Sequence, residues 1–174
     1  MGMKCGIEIH QRLATKEKLF CACKAGMEDG PATGTVRRRL HAVSGELGVV
    51  DPAALFEARR ERIFTYQFFE NSTCLVEADE EPPHGMNGEA LEVCLLVAKM
   101  LHSRIVDEVH VMRTTVVDGS SPGGFQRTAL IALGGYVETS FGKVGIQTVC
   151  LEEESAGIVG QDGSGVTYRL DRLG

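Results

Sequence analysis

The sequence predicts an α+β fold, a largely antiparallel sheet with flanking helices, in a single domain that spans residues 1–174. Two segments with helix start signals, at 52–64 and 88–104, precede three apolar segments of strand character. Short turn sequences separate these strands, and short connections favour antiparallel pairing because a parallel crossover needs about a dozen residues or more. No repeat, low-complexity tract or long linker divides the chain, which is long enough to bury one core.

The KCGIEIHQRL segment near the amino terminus alternates in the manner of a half-buried strand. Cys5, Ile7 and Ile9 would lie on one face of this strand. Glu8 and His10 would lie on the other face, so the pattern predicts a carboxylate and an imidazole side by side.

Two helices are predicted from their first residues. Asp51 supplies an N-cap and Pro52 the first helical position in front of AALFEARRERIF. Asn87 opens the second helix, GEALEVCLLVAKMLHSR. The apolar residues that recur on one face of this second helix are Leu91, Leu95 and Met100.

Three strands are predicted after the second helix. They are IVDEVHVMRTTVV at 105–117, FQRTALIAL at 125–133 and VGIQTVCLEEE at 144–154. The turn signals around them are Asp118-Gly119, Gly134-Gly135 and Phe141-Gly142. We therefore expect these strands to form the antiparallel sheet.

The charge balance of the chain limits its possible partners. With 18 basic and 24 acidic residues the formal charge is −6, which excludes nucleic-acid binding through a general basic excess. Any RNA contact must therefore be local. RRR at 37–39 and ARRER at 58–62 are the only basic clusters, and each more often marks a solvated face of a strand or helix.

The cellular compartment is predicted from the lack of long apolar segments and from the cysteines. No window is apolar over the length needed to span a bilayer, and the first residues lack the apolar stretch of a signal peptide. We expect a cytoplasmic protein with reduced thiols, because a chain of this size needs no disulfides. The six cysteines are Cys5, Cys21, Cys23, Cys74, Cys94 and Cys150.

Two groups of ligand-type side chains suggest a site for a hard divalent ion. Glu8 and His10 share a predicted strand face, and Glu152 and Glu153 belong to a run of three carboxylates at the end of another strand. Carboxylates together with an imidazole and water suit Mg²⁺. Taken alone, however, each group is more often a surface pair or a solvated strand end, and both interpretations stay open.

The loop DGSSPGGFQRT, residues 118–128, combines glycines, hydroxyls and an arginine. The glycines allow a backbone to approach a ligand closely, and Arg127 can make two parallel contacts to a phosphate or carboxylate. The loop is no P-loop, because the Walker lysine is missing and no helix follows. A tight hairpin whose glycines serve only the turn is an equally good interpretation.

A second possible metal site is formed by thiols. Cys21, Cys23 and Cys74 would bind Zn²⁺, with His84 or Cys5 as a possible fourth ligand. The spacing is incomplete, since a structural zinc site needs four ligands. Buried free thiols are the favoured alternative.

Five motifs in order identify a family. They are GIEIHQRLATKEKLFCAC, CLVEADEEPPH, VDGSSPGGFQRTALIAL, CLEEESA and TYRLDRLG. Together they closely resemble the amino-terminal part of the E-type subunit of archaeal glutamyl-tRNA(Gln) amidotransferase, which is related to the bacterial B-type subunit. The resemblance covers nearly the whole chain.

The resemblance implies a two-step reaction. ATP phosphorylates the γ-carboxylate of glutamate on Glu-tRNA(Gln), and ammonia then displaces phosphate to give Gln-tRNA(Gln). It further implies an asparaginase-like D-type subunit that supplies ammonia, in a heterodimer or heterotetramer, and a catalytic fold similar to glutamine synthetase. Phosphoryl transfer depends mainly on Mg²⁺, positioning and charge stabilisation.

The resemblance also suggests roles for individual residues. The metal ligands of the family fall on His10 and Glu152, to which strand geometry and adjacency add Glu8 and Glu153. Loop 118–128 is similar to the segment that lines this site in the family. From it we predict catalytic roles for Ser120, Gln126 and Arg127, and contacts with ATP for Asp118, Gly119, Ser121 and Gly124.

The chain departs from the family in two respects. Relatives continue past LDRLG into a segment with a further metal-binding glutamate and into domains that handle tRNA, so the chain is expected to be a fragment. Asn71 replaces the first cysteine of a C-x-x-C that bacterial relatives carry, which weakens the prediction of zinc. Two other functions therefore stay open: an inactive, truncated binding module and a stand-alone amide ligase of glutamine synthetase type.

Overall fold

The computed structural model describes residues 5–39, 42, 44, 48–163 and 165–174. The helices in this part of the chain are α1 (Pro52–Arg59) and α2 (Gly88–Met100). The strands are β1 (Gly34–Arg38), β2 (Ile63–Phe68), β3 (Arg104–Ile105), β4 (Val111–Thr115), β5 (Phe125–Leu133), β6 (Tyr136–Thr139), β7 (Gly142–Gly145), β8 (Thr148–Glu152), β9 (Gly157–Gln161) and β10 (Gly165–Arg169), followed by a 3₁₀ turn at Leu170–Arg172.

The strands form two four-stranded sheets and a hairpin. The first sheet has the order β1-β2-β10-β9, in which β2 and β10 run parallel and the other neighbours antiparallel. In the second sheet β5 pairs antiparallel with β3, β4 and β8. Among the described strands, β6 and β7 pair only with each other. The predicted α+β class with a largely antiparallel sheet is confirmed.

Helix α2 covers one face of the second sheet. Its N-cap is Asn87, as predicted, whose side-chain oxygen accepts from the backbone N–H groups of Glu89 (2.8 Å) and Ala90 (3.2 Å). The residues buried in this core are Leu19, Phe20, Ala90, Cys94, Ala129, Ile131 and Leu151. Leu91 and Leu95 pack against them as expected, whereas Met100 is 70% exposed, so its predicted place in the core is wrong. Met100 lies on the outward face of α2, since Val97, Leu96 and Val93, which precede it by three, four and seven residues, are also exposed.

Helix α1 begins where the sequence predicts, with Asp51 accepting from Ala53 N–H at 2.7 Å. It ends at Arg59 rather than near residue 64, because Glu61 takes a left-handed backbone conformation (φ 52°). The chain then enters β2, where Phe64 is almost fully buried. Burial in a sheet therefore overrides helix propensity at this point.

The first sheet has a core of its own. It consists of Phe64, Tyr66, Ala156, Val166, Tyr168, Leu170 and Leu173. Strands β1, β2, β6, β9 and β10 had not been predicted as strands. Glycines or charged residues obscure the alternation in all of these strands except β2, whose first residues were assigned to the preceding helix, and pairing with partners distant in sequence supplies the missing stabilisation.

The predicted strand at the amino terminus is not formed. Residues 5–14 lie outside the described strands, and Ile7 and Ile9 are 88% and 85% exposed. The alternating pattern is present, but no described strand pairs with it. Alternation alone cannot form a strand, since each strand needs a hydrogen-bonding neighbour.

Two predicted strands are each divided in two. Segment 105–117 becomes β3 and β4, separated by a bend at the charged residues 107–108. Segment 144–154 becomes β7 and β8, because the chain changes partner between them. β7 completes the hairpin with β6, and β8 then joins β5.

Neither described helix is long and apolar enough to cross a membrane. The six cysteines are free thiols in the structure.

Candidate functional site

The second sheet has one covered and one open face. Ala129, Ile131 and Leu151 are buried on the face beneath α2. Since side chains alternate along a strand, their neighbours Thr128 and Glu152, which are paired across β5 and β8, belong to the opposite face. These two side chains are only half-buried, so this face can receive a ligand.

A chain of hydroxyls orients Glu152 on the open face. The Thr128 hydroxyl donates to the Glu152 carboxylate, and the hydroxyls of Thr114 and Thr128 lie 3.1 Å apart. Because Thr128 uses its proton for Glu152, the hydrogen between the two threonines comes from Thr114. The carboxylate is therefore fixed by two residues from neighbouring strands.

The amino-terminal segment contacts the chain just beyond β8, where Arg12 pairs with Glu154. His10 Nε2 and Glu8 Oε1 are 3.1 Å apart, and both side chains are exposed. Burial raises the pKa of Cys150; a hydrogen bond with Thr148 lowers it, and the carboxylates of Glu152 and Glu8 raise it further. Within the described chain, however, no three predicted ligands (Glu8, His10, Glu152 and Glu153) have ligand atoms within 4.8 Å of one another.

Glu153 lies on the covered face and is bound to Arg127. One carboxylate oxygen accepts from the backbone N–H of Arg127 at 2.8 Å and the other from its guanidinium at 2.8 Å. Burial raises the pKa of Glu153 by more than these contacts with Arg127 lower it. The structure therefore separates Glu153 from Glu152, His10 and Glu8.

Arg127 is also not a free guanidinium. Its side chain is 11% exposed and lies over the rings of Phe125 and Phe20, at 5.3 and 5.9 Å from the ring centres. Gln126 is similarly engaged, since its side-chain amide donates to the carbonyl of Glu153 and to the hydroxyl of Ser155. Both residues position the end of β8 in this structure.

The glycine and serine loop is attached to the first sheet by two tyrosines. The hydroxyl of Tyr168 donates to the carbonyl of Asp118 (2.9 Å), and that of Tyr66 to the carbonyl of Gly119 (2.8 Å). The Asp118 carboxylate accepts from both the N–H and the hydroxyl of Ser120. The hydroxyl of Ser120 is therefore engaged inside the loop, which favours a structural role for this part of the segment.

Ser121 and Gly124 belong to the same turn. Ser121 is 3% exposed, and its carbonyl accepts from Gly124 N–H at 2.9 Å. The Ser121 hydroxyl is buried without a hydrogen-bond partner among the described residues. Contacts of these residues with ATP stay a prediction.

Gly119 is required by this packing, which gives a first prediction. Its backbone has φ +90°, and a Cβ atom would lie 2.2 Å from the Phe64 ring. Replacement of Gly119 by alanine is expected to lower the free energy of unfolding by about 2–4 kcal/mol, from backbone strain and overpacking together. Chemical denaturation measures the loss. Gly160→Ala is the control, since a Cβ there meets no atom of the described structure within 4 Å, and an equal loss in both variants would contradict the assignment.

A cleft of 630 Å³ lies beside Arg127, on the same side of the sheet as Glu153. The acidic loop that follows β2 forms one wall, and residues of β4 and β5 form the other. Its charged and aromatic lining residues are Asp79, Glu80, Glu81, Arg113, Phe125 and Arg127. Arg113 lies 5.2 Å from the centre of the Phe125 ring and makes no ion pair within the described residues. Arg113 was not identified from the sequence, although the CLVEADEEPPH motif marked the opposite wall.

Glu154 was likewise not selected from the sequence. Its carboxylate contacts Arg12 (2.9 Å) and Arg172 (2.6 Å). Arg12 is two residues from His10, so Glu154, the last of the three consecutive glutamates, contacts the amino-terminal segment. A strict alternation from Glu152 would have placed Glu154 on the same face.

The thiol cluster is the one place where the described residues bring several metal-ligand groups together. The sulfurs of Cys21, Cys23 and Cys74 and a carboxylate oxygen of Glu77 lie within 4.8 Å of one another. The fourth member is Glu77, rather than His84 or Cys5 as the sequence suggested. Glu77 is contributed by the turn that follows Cys74.

A buried ion pair adjoins this cluster. The Lys18 ammonium donates to Glu77 (2.8 Å) and to the carbonyls of Ser72 (2.6 Å) and Leu170 (3.2 Å). Both charged side chains are at most 3% exposed. Burial alone would raise the pKa of Glu77, but the Lys18 ammonium and the hydrogen bonds outweigh it, so the pKa lies below its usual 4.5. The pair thus joins the segment before α2 to the carboxyl-terminal turn.

Residues 3–174, nearly the whole chain, match the GatB/GatE catalytic domain. The chain belongs to this family. It is 55% identical over its full length to the E-type subunit of glutamyl-tRNA(Gln) amidotransferase from Aeropyrum pernix, of which it covers 27%. The corresponding subunits of Methanothermobacter thermautotrophicus and Methanocaldococcus jannaschii are 49% and 50% identical over the full chain, which spans 28% of each.

Proposed function

We propose that this chain is the catalytic part of a tRNA-dependent amidotransferase that converts Glu-tRNA(Gln) into Gln-tRNA(Gln). The observation that carries the proposal is the match of residues 3–174 to a catalytic-domain family whose similar relatives bear that activity in their names. The proposed reaction uses ATP to phosphorylate the γ-carboxylate of the glutamyl group. Ammonia then displaces phosphate and leaves the amide.

The open face of the second sheet is the proposed place of the chemistry. A glutamine synthetase-like arrangement, with an antiparallel sheet that carries the reacting groups on one face, would agree with α2 covering the other face. Glu152, Glu8 and His10 are the residues that would hold Mg²⁺, which when bound supplies positive charge to phosphate oxygens. The donor types suit this ion, because two of these side chains are carboxylates, although the described structure does not bring the three ligand atoms within 4.8 Å of one another.

The remaining residues of the site act by positioning. Thr114 and Thr128 hold the Glu152 carboxylate in one orientation, and such fixed geometry lowers the cost of reorganisation during the reaction. Arg127 keeps Glu153 on the covered face and so fixes the direction of its neighbour Glu152. In this proposal, loop 118–128 supports the edge of the ATP site through its backbone.

The partners of the proposed reaction follow from its chemistry and from the family resemblance. Glu-tRNA(Gln) is the substrate, and an asparaginase-like D-type subunit supplies ammonia in a heterodimer or heterotetramer. A site of action in the cytoplasm accords with aminoacyl-tRNA as substrate.

The function is tested in a hybrid protein in which residues 1–174 replace the corresponding segment of the Aeropyrum pernix relative. With misacylated tRNA, ATP, Mg²⁺ and free ammonium, we expect conversion to Gln-tRNA(Gln) that depends on ATP. An inactive hybrid beside an active parent would contradict the proposal. Amidation of free glutamate without tRNA would instead support the stand-alone ligase.

We also propose that the thiol cluster binds Zn²⁺. Three soft sulfur donors and one carboxylate at mutual distances within 4.8 Å suit a tetrahedral ion. The negative charge of three thiolates would be offset in part by the nearby Lys18 ammonium. Buried free thiols remain the alternative outcome.

Metal binding to this cluster should depend on pH. Burial, aided by a hydrogen bond to Glu77, raises the pKa of Cys74 to about 12, and burial also raises that of Cys21. Binding must therefore release protons, so affinity is expected to rise from roughly pH 6 to pH 8. Titration with Co²⁺, followed by thiolate absorption, measures it. The Cys74→Ser variant should lose the signal and Cys94→Ser, buried elsewhere, should keep it; equal signals in both would rule out the site.

A further inference from the structure

The two basic segments of the sequence meet at one end of the first sheet. β1 and β2 run antiparallel, and Arg38, the last residue of β1, lies opposite Phe64, so Arg39 follows at the end of the sheet where β2 begins. Arg60, the C-cap of α1, precedes Ile63, the first residue of β2, by three positions, which span at most about 11 Å. Arg37, Arg39, Arg59 and Arg60 therefore belong to one region, termed here the arginine surface.

Most charges of the arginine surface are not neutralised. Arg37, Arg39 and Arg59 are exposed and make no ion pair in the described part of the chain. Arg60 contacts Glu57 at 2.9 Å, but Glu57 is shared with Arg62. Exposed guanidinium groups without carboxylate partners are free to bind an external anion.

Arg38 shows the contrast with an arginine that serves the fold. Its guanidinium donates to the carbonyl of Ala78 at 2.5 Å and to the Glu80 carboxylate. The side chain is half-buried, between two exposed neighbours. One arginine of the RRR segment thus makes contacts within the fold, and the other two are exposed to solvent.

The local charge opposes that of the whole chain. The formal charge is −6, so a polyanion is repelled by the molecule in general and attracted only where positive charge is concentrated. Planar guanidinium groups match phosphate oxygens in pairs. The arginine surface therefore provides both attraction and orientation for a phosphate backbone.

We propose that the arginine surface binds the phosphate backbone of RNA. Its identification with the tRNA substrate rests on the function proposed above. The guanidinium fork fits phosphate and carboxylate alike, and phosphate is chosen over an acidic protein because the function proposed above has a tRNA as its substrate. The exposed Phe56 (63%) and Leu55 (42%) on α1 lie beside them and provide an apolar margin to the surface.

Binding is tested with the 174-residue chain and a fluorescein-labelled tRNA(Gln) transcript. Fluorescence anisotropy over a series of KCl concentrations gives Kd and its salt dependence. The variants are Arg37→Gln/Arg39→Gln and Arg59→Gln/Arg60→Gln. The control, Lys99→Gln/Arg104→Gln, removes the same charge from exposed positions of α2 and β3, and circular dichroism confirms that each variant is folded.

Each double arginine variant should raise the Kd for tRNA about tenfold. The slope of log Kd against log salt concentration should fall by roughly one for every phosphate that the variant no longer neutralises. The control should change Kd much less. An equal effect in the control, or the absence of tRNA binding by the unmodified chain, would overturn the proposal. Displacement of the RNA by poly-glutamate at equal charge concentration would also overturn it, in favour of an acidic protein partner.

The assay separates this inference from the proposed activity. It needs no ATP, metal or turnover, so a negative result leaves the amidotransferase proposal standing. Conversely, an inactive hybrid protein does not alter a Kd measured with the chain itself.

Discussion

Replacement of Glu77 by glutamine is expected to lower the free energy of unfolding by about 3–5 kcal/mol, because it leaves the Lys18 ammonium buried without a counter-charge. Both side chains are at most 3% exposed, so water cannot solvate the remaining charge. The amide would keep some hydrogen bonds but not the charge. Urea denaturation at neutral pH measures the loss.

A matched control uses Glu138, whose ion pair with Lys143 is exposed on the β6–β7 hairpin. Glu138→Gln is expected to change the stability little, since exposed pairs contribute little. If Glu77→Gln were as mild as this control, the buried pair would not be a main element of the fold.

The same pair should make the protein sensitive to acid. The pKa of Glu77 lies below 4.5 in the fold, so its contribution is present above pH 4.5 and is lost as the pH falls through the folded value. Asp171, whose pKa is held below 3.8 by Arg169 despite burial, adds to this loss at lower pH. Below pH 4.5 the free energy of unfolding should therefore decline less steeply in the Glu77→Gln variant than in the unmodified protein. Some decline should remain, because Asp171 is unchanged.

The second large effect is expected on activity. In the hybrid protein, Glu152→Gln should reduce the rate of amidation on the order of 10²–10³-fold, the scale for the loss of one preorganised electrostatic group. Thr128→Val, which removes the hydrogen bond to that carboxylate, should reduce it about 10–100-fold. Initial rates at saturating tRNA and ATP measure both.

Glu92→Gln on the exposed side of α2 is the control for this series and should leave the rate unchanged. Full activity of Glu152→Gln in an otherwise active hybrid would show that the open face of the second sheet is not the place of the chemistry. A loss only with Arg127 variants would direct attention to the cleft on the opposite side.

The fold class could be predicted because it depends on local signals. Asp51 with Pro52, and Asn87, each place a helix start through hydrogen bonds within their own first turn. The strand β5 is largely apolar and was found with its correct bounds. These features require no knowledge of distant residues.

The amino-terminal segment shows where such prediction fails. Its alternation predicted a strand, yet Ile7 and Ile9 remain exposed because no described strand pairs with them. Arg127 is a similar case, since its residue type suggested a ligand contact. Its partner Glu153 is 26 positions away, and only the antiparallel register of β5 and β8 brings them together.

By itself the sequence determined the α+β class, the beginning of each helix, the family and the presence of thiols, carboxylates and an imidazole suited to metal ions. Local hydrogen bonding and residue chemistry suffice for these properties. The tertiary structure alone decided that Glu153 is bound by Arg127, that Glu77 joins the three cysteines, and that the two basic segments lie at the same end of the first sheet. Such properties depend on strand register and on contacts between segments far apart in the chain, and no local pattern encodes which distant residue will be the neighbour.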